Sequence, residues 1–331
     1  MKVSVIGGGA WGTTLAQALA DNNNEVLIED INPEFVKKIN ETHSHPYFDV
    51  IIPESVKATT NLAEAVAFSN VIVLCVPTAY IRGVITEIND LMTEKKIFIN
   101  VSKGIEPETS LLVSQIVDEV IKKDHSYVVL SGPSHAEEVI LRKVTALVAA
   151  SKNEEDSKFV QNLFSNDQYL RVYTSNDVIG VEAGGAIKNA IAVVSGVAYG
   201  IGLGENARAF LITRGLKEFL SIITVLGGNI QTVYGLSGVG DLIVTASSFN
   251  SRNFKCGINI GKGMSIEDAI KEVKQSVEGI RAIKASYVIG KKFGLELPII
   301  NVAYNVIEGK ITASDALNKL LSRNLKPERY W

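Results

Sequence analysis

Lys2-Val3-Ser4-Val5-Ile6-Gly7-Gly8-Gly9-Ala10-Trp11-Gly12 opens the chain and decides how the rest is read. Val3–Ile6 is a short β-rich run, and the residues from about Trp11 to Asp21 read as a helix. Between them Gly7, Gly9 and Gly12 stand at the G-x-G-x-x-G spacing. In a strand–turn–helix context the first glycine permits the tight turn. The second lets a pyrophosphate approach the backbone, and the third lets helix and strand pack closely. The helix N-terminus then faces the negative phosphates. The same spacing also occurs in glycine turns that hold nothing. Its weight comes from the strand before it and the helix after it.

The pattern downstream extends this beginning. Glu25–Glu29, Val71–Val76, Ile97–Val101, Tyr127–Leu130 and Ala146–Ala150 read as strands, with amphipathic helical stretches between them. Asn32-Pro33-Glu34 reads as a helix start with proline at the first helical position. Alternation of this kind predicts an α/β fold with a Rossmann-like, doubly wound parallel sheet. Ligands of such sheets lie beyond the carboxyl ends of the strands. Gly7–Gly12, Pro77-Thr78, Ser102-Lys103-Gly104 and Ser131-Gly132-Pro133-Ser134 fall at those ends. Beyond Thr174-Ser175-Asn176-Asp177 the alternation stops. Helical periods take over at Val178–Tyr199, Asn206–Leu226, Ile266–Val273, Val277–Phe293 and Pro298–Glu308, separated by polar loops at Gly235–Asp241 and Ser247–Asn253. The expected organisation is a dinucleotide-binding domain over residues 1–178. A mostly α-helical domain over 179–331 carries the substrate and catalytic groups.

Composition agrees with two packed domains: 331 residues, 46% of them hydrophobic. A net charge of −3 lacks the basic footprint of a nucleic-acid binder, so no nucleic-acid partner is expected. The two cysteines, Cys75 and Cys256, are far apart, and His43, His45 and His125 form no ligand cluster, so no metal site is expected. The apolar start breaks at Gly7, too early for a signal-peptide core. No uninterrupted apolar run approaches the ~20 residues that span a bilayer. A cytoplasmic protein without membrane insertion is the expectation, and a homodimer is plausible because helical second domains often pair.

The second strand ends in Glu29-Asp30. A carboxylate there accepts hydrogen bonds from the ribose 2′-OH of NAD and repels the 2′-phosphate of NADP. No arginine or lysine follows before Lys37, so NAD is favoured, with NADP as the alternative. Asp30 is equally able to cap the following turn.

Lys188 stands with Asn189 in the otherwise apolar stretch Ala183–Val194. Desolvation disfavours an ammonium and makes it a usable proton donor and acceptor. A lysine snorkelling from a helix edge is the other account of such a residue. Ser251-Arg252-Asn253 presents an arginine with two neutral donors, suited to a phosphate, although Arg252 also suits an exposed surface. Asp241 after its glycine-rich turn either caps that turn or orients Lys188 or a substrate hydroxyl. Lys103 stands where it would balance substrate charge or reach the nicotinamide end. His135 beside Ser134 carries no catalytic expectation.

Taken together these motifs resemble one family. Gly7-Gly8-Gly9-Ala10-Trp11-Gly12-Thr13, Val101-Ser102-Lys103-Gly104-Ile105-Glu106, Ser131-Gly132-Pro133-Ser134 and Glu182-Ala183-Gly184-Gly185-Ala186-Ile187-Lys188-Asn189 occur in the order seen in bacterial NAD(P)-dependent glycerol-3-phosphate dehydrogenases. Gly202-Leu203-Gly204-Glu205-Asn206-Ala207, Thr213-Arg214-Gly215-Leu216, Gly238-Val239-Gly240-Asp241-Leu242, Ser251-Arg252-Asn253 and Val277-Glu278-Gly279 continue the series. The resemblance implies reduction of dihydroxyacetone phosphate to sn-glycerol 3-phosphate, feeding glycerophospholipid synthesis. It implies that Lys188 is the catalytic proton donor and acceptor. By the same resemblance Lys103, Gly132, Ser134, Asp241, Ser251, Arg252 and Asn253 contact the phosphosubstrate. Ala10, Trp11, Lys103, Ala136, Arg252, Val277 and Glu278 line the cofactor. Many members carry Arg or His just past the second strand, where this chain has Ile31 and Asn32. Two rival functions remain open on sequence: a reductase of a non-phosphorylated keto acid, and a non-catalytic NADH sensor with no need of Lys188.

Overall fold

The computed structural model describes all residues except 107–108, 274–275, 326 and 329–331. Two compact units emerge: one from Met1–Lys103 and Leu111–Glu182, the other from Gly104–Ser110 and Ala183–Trp331.

The first unit is built on eight strands: β1 (Lys2–Ile6), β2 (Glu25–Glu29), β3 (Val56–Thr59), β4 (Val71–Leu74), β5 (Lys96–Asn100), β6 (His125–Ser131), β7 (Thr145–Ala150) and β8 (Leu170–Ser175). Their order across the sheet is β3-β2-β1-β4-β5-β6-β7-β8. Its helices are α1 (Ala10–Asp21), α2 (Pro33–Thr42), α3 (Leu62–Phe68), α4 (Thr78–Leu91), α5 (Val113–Val120), α6 (Ala136–Val139), α7 (Glu154–Phe164) and the first turns of α8 (Val178–Gly200).

Strand periodicity explains the double winding. Successive side chains of a strand point to opposite faces. Val71 and Val73 join one core with Leu15 and Leu19 of α1 and Phe164 of α7. Ile72 and Leu74 join the opposite core with Ile81 and Ile85 of α4 and Ile116 of α5. A strand buried on both faces therefore needs apolar residues at every position, and all four residues of β4 are buried. In register, Ile6 lies level with Glu29 and with Leu74, so the turns after β1, β2 and β4 share one edge of the sheet.

Three features depart from the sequence expectation. The sheet is not wholly parallel: β6 and β7 run antiparallel, with Val129 opposite Ala150. The reason lies in α6, which has only 4 residues and so spans roughly 6 Å. β6 has 7 residues, roughly 23 Å of strand. So short a helix cannot return the chain to the sheet's other end, and it re-enters where it left. The strands β3 and β8, unmarked in the sequence pattern, are the two edges of the sheet. Edge strands bury one face only, and β8 alternates Leu170 and Val172 inward with exposed Arg171 and Tyr173.

The second unit is helical: the rest of α8, then α9 (Glu205–Leu226), α10 (Ile230–Val233), α11 (Asp241–Ser247), α12 (Arg252–Gly261), α13 (Ile266–Val273), α14 (Glu278–Phe293), α15 (Pro298–Ile307) and α16 (Ala313–Leu321). α8 has 23 residues and is long and apolar enough to cross a membrane, but its most apolar stretch is almost wholly buried within the protein. α8 and α12 cross through glycines. A Cβ on Gly196 would lie 2.2 Å from the Phe254 carbonyl oxygen, and one on Gly257 would lie 2.2 Å from that of Val193. Two stretches expected to be loops are ordered otherwise. Leu236–Gly240 is a π-helical turn that runs straight into α11, and Arg252 opens α12.

Candidate active site

In the first unit the glycine turn is held by contacts that forbid side chains at two of its three positions. Gly7 has φ +103°, and a Cβ there would meet the Cys75 carbonyl oxygen at 2.6 Å. One on Gly12 would lie 1.9 Å from the Gly7 carbonyl oxygen. A Cβ on Gly9 would meet nothing within 4 Å. Gly9 is also the N-cap of α1 and has no side chain with which to cap its first turn. Open space over bare helix N–H groups is what a pyrophosphate needs. The Trp11 indole N–H is likewise buried without a hydrogen-bond partner.

Asp30 ties this turn to the end of β2. Its Oδ2 accepts from Gly8 N at 2.7 Å, and its Oδ1 accepts from Asn32 N at 2.8 Å. It thus stands beside the glycine loop and also caps the turn. Asn32 caps α2 by accepting from Glu34 N, and Ile31 is 89% exposed. The neighbouring Glu29 is buried, and desolvation, with the charges of Asp30 and Glu87, pushes its carboxyl up to about 7.

His45, fully buried, braces the start of α1. Its Nδ1 accepts from Tyr47 N and Phe48 N, so the proton sits on Nε2, which lies 3.1 Å from the Ala10 carbonyl oxygen. A second ring proton would face two N–H groups. Burial, helped by the charge of Lys38 and opposed by the hydrogen bond to Ala10, brings the imidazole down to about 4. The sequence pattern carries no sign of this role.

Lys103, Gly132 and Ser134 lie together in the first unit. The Lys103 ammonium donates to the Gly132 carbonyl at 2.9 Å and lies 3.4 Å from Ser134 Oγ. Ala136 follows as the first residue of α6, and Ser131 Oγ is buried without a partner.

In the second unit Lys188 does not snorkel: it is 4% exposed. Its ammonium lies 2.5 Å from Asp241 Oδ1 and donates to Thr245 Oγ1 at 2.7 Å. Asp241 is buried as well. Burial works against the ammonium, and the carboxylate works for it. The π-helical turn delivers Asp241 to this position. A Cβ on Gly184 of α8 would lie 2.8 Å from the Ser237 carbonyl oxygen, so the turn packs directly on the helix that bears Lys188. Thr245 is a partner that the motifs miss. Its signal is the spacing Asp241 to Thr245, one helical turn on one face of α11. Burial alone does not mark such a lysine: Lys96 is also buried, yet it donates to the carbonyls of Val66 and Ser69 and to Asn70 Oδ1, closing the end of α3.

Ser251, Arg252 and Asn253 open α12 in three different ways. Ser251 is buried and caps the helix by accepting from Phe254 N. Arg252 is exposed. Asn253 donates to Asn189 Oδ1 at 2.9 Å and accepts from Gly279 N at 2.8 Å, linking α8 to the start of α14. Its carbonyl is thus engaged within the protein, and a phosphate would be left its remaining amide N–H. Val277 immediately precedes α14 and is buried, while Glu278 lies 3.6 Å from Arg281. Among the described residues no cluster of three or more His, Cys, Asp or Glu side chains is placed to hold a metal ion.

Both parts of the chain have matches among known proteins. The model of the NAD-dependent glycerol-3-phosphate dehydrogenase N-terminus matches residues 2–157, and that of the C-terminus matches 177–318. The chain is 55% identical to a glycerol-3-phosphate dehydrogenase [NAD(P)+] of Acholeplasma laidlawii over 330 residues, 99% of each chain. It is 48% identical to that of Phytoplasma mali, again over 99% of each. Among solved structures, a glycerol-3-phosphate dehydrogenase from Coxiella burnetii superposes with a TM-score of 0.92 at 31% identity, covering 97% of this chain and 99% of that one. Matched over both of its units, the chain belongs to the NAD-dependent glycerol-3-phosphate dehydrogenase family.

Proposed function

We propose that the chain reduces dihydroxyacetone phosphate to sn-glycerol 3-phosphate, reversibly, with Lys188 as the group that gives and takes the proton. The observation that carries this is the buried ion pair of Lys188 with Asp241, braced by Thr245, in a chain whose family is established over its full length. Bound reduced nicotinamide supplies the hydride. The Lys188 ammonium hydrogen-bonds the ketone oxygen and protonates it as negative charge develops there. Such proton transfer is typically worth about 10²–10⁴-fold. Asp241 and Thr245 hold the amine in one orientation, so little ordering is left for the reaction itself. Arg252 carries the substrate phosphate, with Ser251 and Asn253 setting the helix end from which it projects. Lys103, with Gly132 and Ser134 beside it, adds positive charge for the phosphosubstrate. Gly7, Gly9, Ala10, Trp11 and Gly12 cradle the cofactor pyrophosphate, and Ala136, Val277 and Glu278 complete its lining.

NAD is the preferred cofactor. The Asp30 carboxylate, fixed by Gly8 and Asn32, would repel a 2′-phosphate, and Ile31 and Asn32 bring no compensating charge. The product would feed glycerophospholipid synthesis, in the cytoplasm and from a homodimer.

The direct test follows loss of reduced-nicotinamide absorbance with dihydroxyacetone phosphate, using NADH and NADPH in parallel. Turnover that favours NADH and is inhibited competitively by inorganic phosphate supports the assignment. Equal turnover of a non-phosphorylated keto acid would shift it to another reductase. NADH binding without oxidation would make the chain a sensor.

A further inference from the structure

Glu182, on α8 six residues before Lys188, is buried in the first unit with no use in the chemistry above. Its surroundings are built for it. Oε1 accepts from Ser114 N at 3.1 Å, from the Asn100 amide at 3.3 Å and from the Tyr127 hydroxyl, and Oε2 accepts from Ser114 Oγ. These donors come from the ends of β5 and α5 and from β6.

Asn100 turns this into a directed link. Its amide nitrogen also donates to the Ser102 carbonyl at 3.3 Å, while its oxygen accepts from Ser102 N at 3.0 Å. The carboxylate attracts the NH2 end and rejects the carbonyl end, so the amide cannot flip. Held this way, it closes the turn from Asn100 to Ser102, and Ser102 Oγ anchors that turn to the Val76 carbonyl at 2.6 Å. Lys103 is the next residue, and its ammonium reaches Gly132 from there.

We propose that Glu182 is a positioning residue for Lys103, acting through the orientation of Asn100. Its significance for turnover rests on the role given to Lys103 above, but the positioning itself is measurable without substrate. Lysines of the protein without added cofactor are acetylated with an N-hydroxysuccinimide ester, and the rate at each site is read by mass spectrometry. Glu182→Ala is expected to speed labelling of Lys103 by about fivefold to tenfold, the scale set by one lost hydrogen bond. Lys158, more than half exposed on α7, serves as the internal reference and keeps its rate. Glu182→Gln retains an acceptor toward Asn100 and restores the slow rate. Ser114→Ala removes a donor from Oε2 of the same carboxylate, whereas Asn100 is held at Oε1, and leaves Lys103 unchanged.

A Lys103 rate unchanged in Glu182→Ala, or raised equally in Glu182→Ala and Ser114→Ala, overturns the proposal. The second result would mean general loosening. Should Glu182→Ala not fold, Asn100→Ala breaks the link from its other side and carries the same expectation and the same refutation. In steady state the KM for dihydroxyacetone phosphate rises in Glu182→Ala while kcat changes less. Faster Lys103 labelling with an unchanged KM would uphold the positioning and remove Lys103 from the substrate site.

Discussion

The Lys188 ammonium and the Asp241 carboxylate, both buried and 53 residues apart along the chain, lie 2.5 Å from each other. Breaking such a pair strands a charge in low dielectric and costs about 3–5 kcal/mol. Lys188→Ala is therefore expected to lose turnover and stability together, yet to keep cofactor binding, because the glycine cradle belongs to the other unit. Removing both partners strands neither charge. Urea denaturation of the two single variants and the double variant should show losses that do not add. Additive losses would mean that the pair is not coupled, and loss of NADH binding in Lys188→Ala would make the lysine structural.

Gly9 and Gly12 should separate binding from folding. A methyl at Gly9 points into open space, so Gly9→Ala folds with unchanged stability and binds NADH at least about tenfold more weakly, because the methyl occupies the pyrophosphate's approach. A methyl at Gly12 lies 1.9 Å from the Gly7 carbonyl oxygen, so Gly12→Ala unfolds at lower urea. Fluorescence titration and denaturation of both variants check this. Wild-type NADH affinity in Gly9→Ala would move the cradle elsewhere.

Arg252 and Ser251 are neighbours with opposite signatures. Arg252 is exposed, so Arg252→Ala should change stability by no more than about 0.5 kcal/mol. Losing a charge-assisted phosphate contact should raise the KM for dihydroxyacetone phosphate roughly 10–100-fold. Ser251 caps α12, and Ser251→Ala should cost about 1 kcal/mol of stability. An unchanged KM in Arg252→Ala would take the arginine out of the site.

His45 predicts an acid dependence of stability with a definite sign. The imidazole titrates at about 4 in the folded protein against 6.5 when unfolded. Between those values the unfolded chain binds a proton that the native one refuses. Stability from this group is full above pH 6.5, falls as pH drops toward 4, and is lost below that, a total of about 3 kcal/mol. Glu29, and Glu218 of α9, which is buried and accepts from Ile299 N and Ile300 N, are both pushed up to about 7 chiefly by desolvation and act in the opposite direction. The comparison must therefore be with His45→Gln. The stability advantage of wild type over that variant should shrink from pH 6.5 to 4, and a constant advantage would refute the role.

Much of the first unit was legible in the linear pattern because its determinants are local. The glycine spacing, the apolar run of β4 and the change to helical periods near residue 178 each act over a few residues. Helices were legible for the same reason, and Ile266–Val273 has the boundaries its pattern predicts. The edge strands β3 and β8 were not, since a strand covered on one side can carry Lys57 or Arg171 without cost. Nor was the direction of β7, read from the pattern as a strand, because it depends on how far a four-residue helix reaches.

By itself the sequence determined the glycine turn between β1 and α1, the change from alternating to helical elements and the placing of Lys188 in an apolar helix, because those follow from periodicity and from short motifs. Tertiary structure alone decided the partnerships: Thr245 and Asp241 around Lys188, His45 under Ala10, Glu182 behind Asn100, and the glycine crossing of α8 with α12. Each joins groups far apart in the chain. Hydrogen bonds and ion pairs form over about 3 Å of space whatever the distance along the backbone, and only packing brings such groups within that reach.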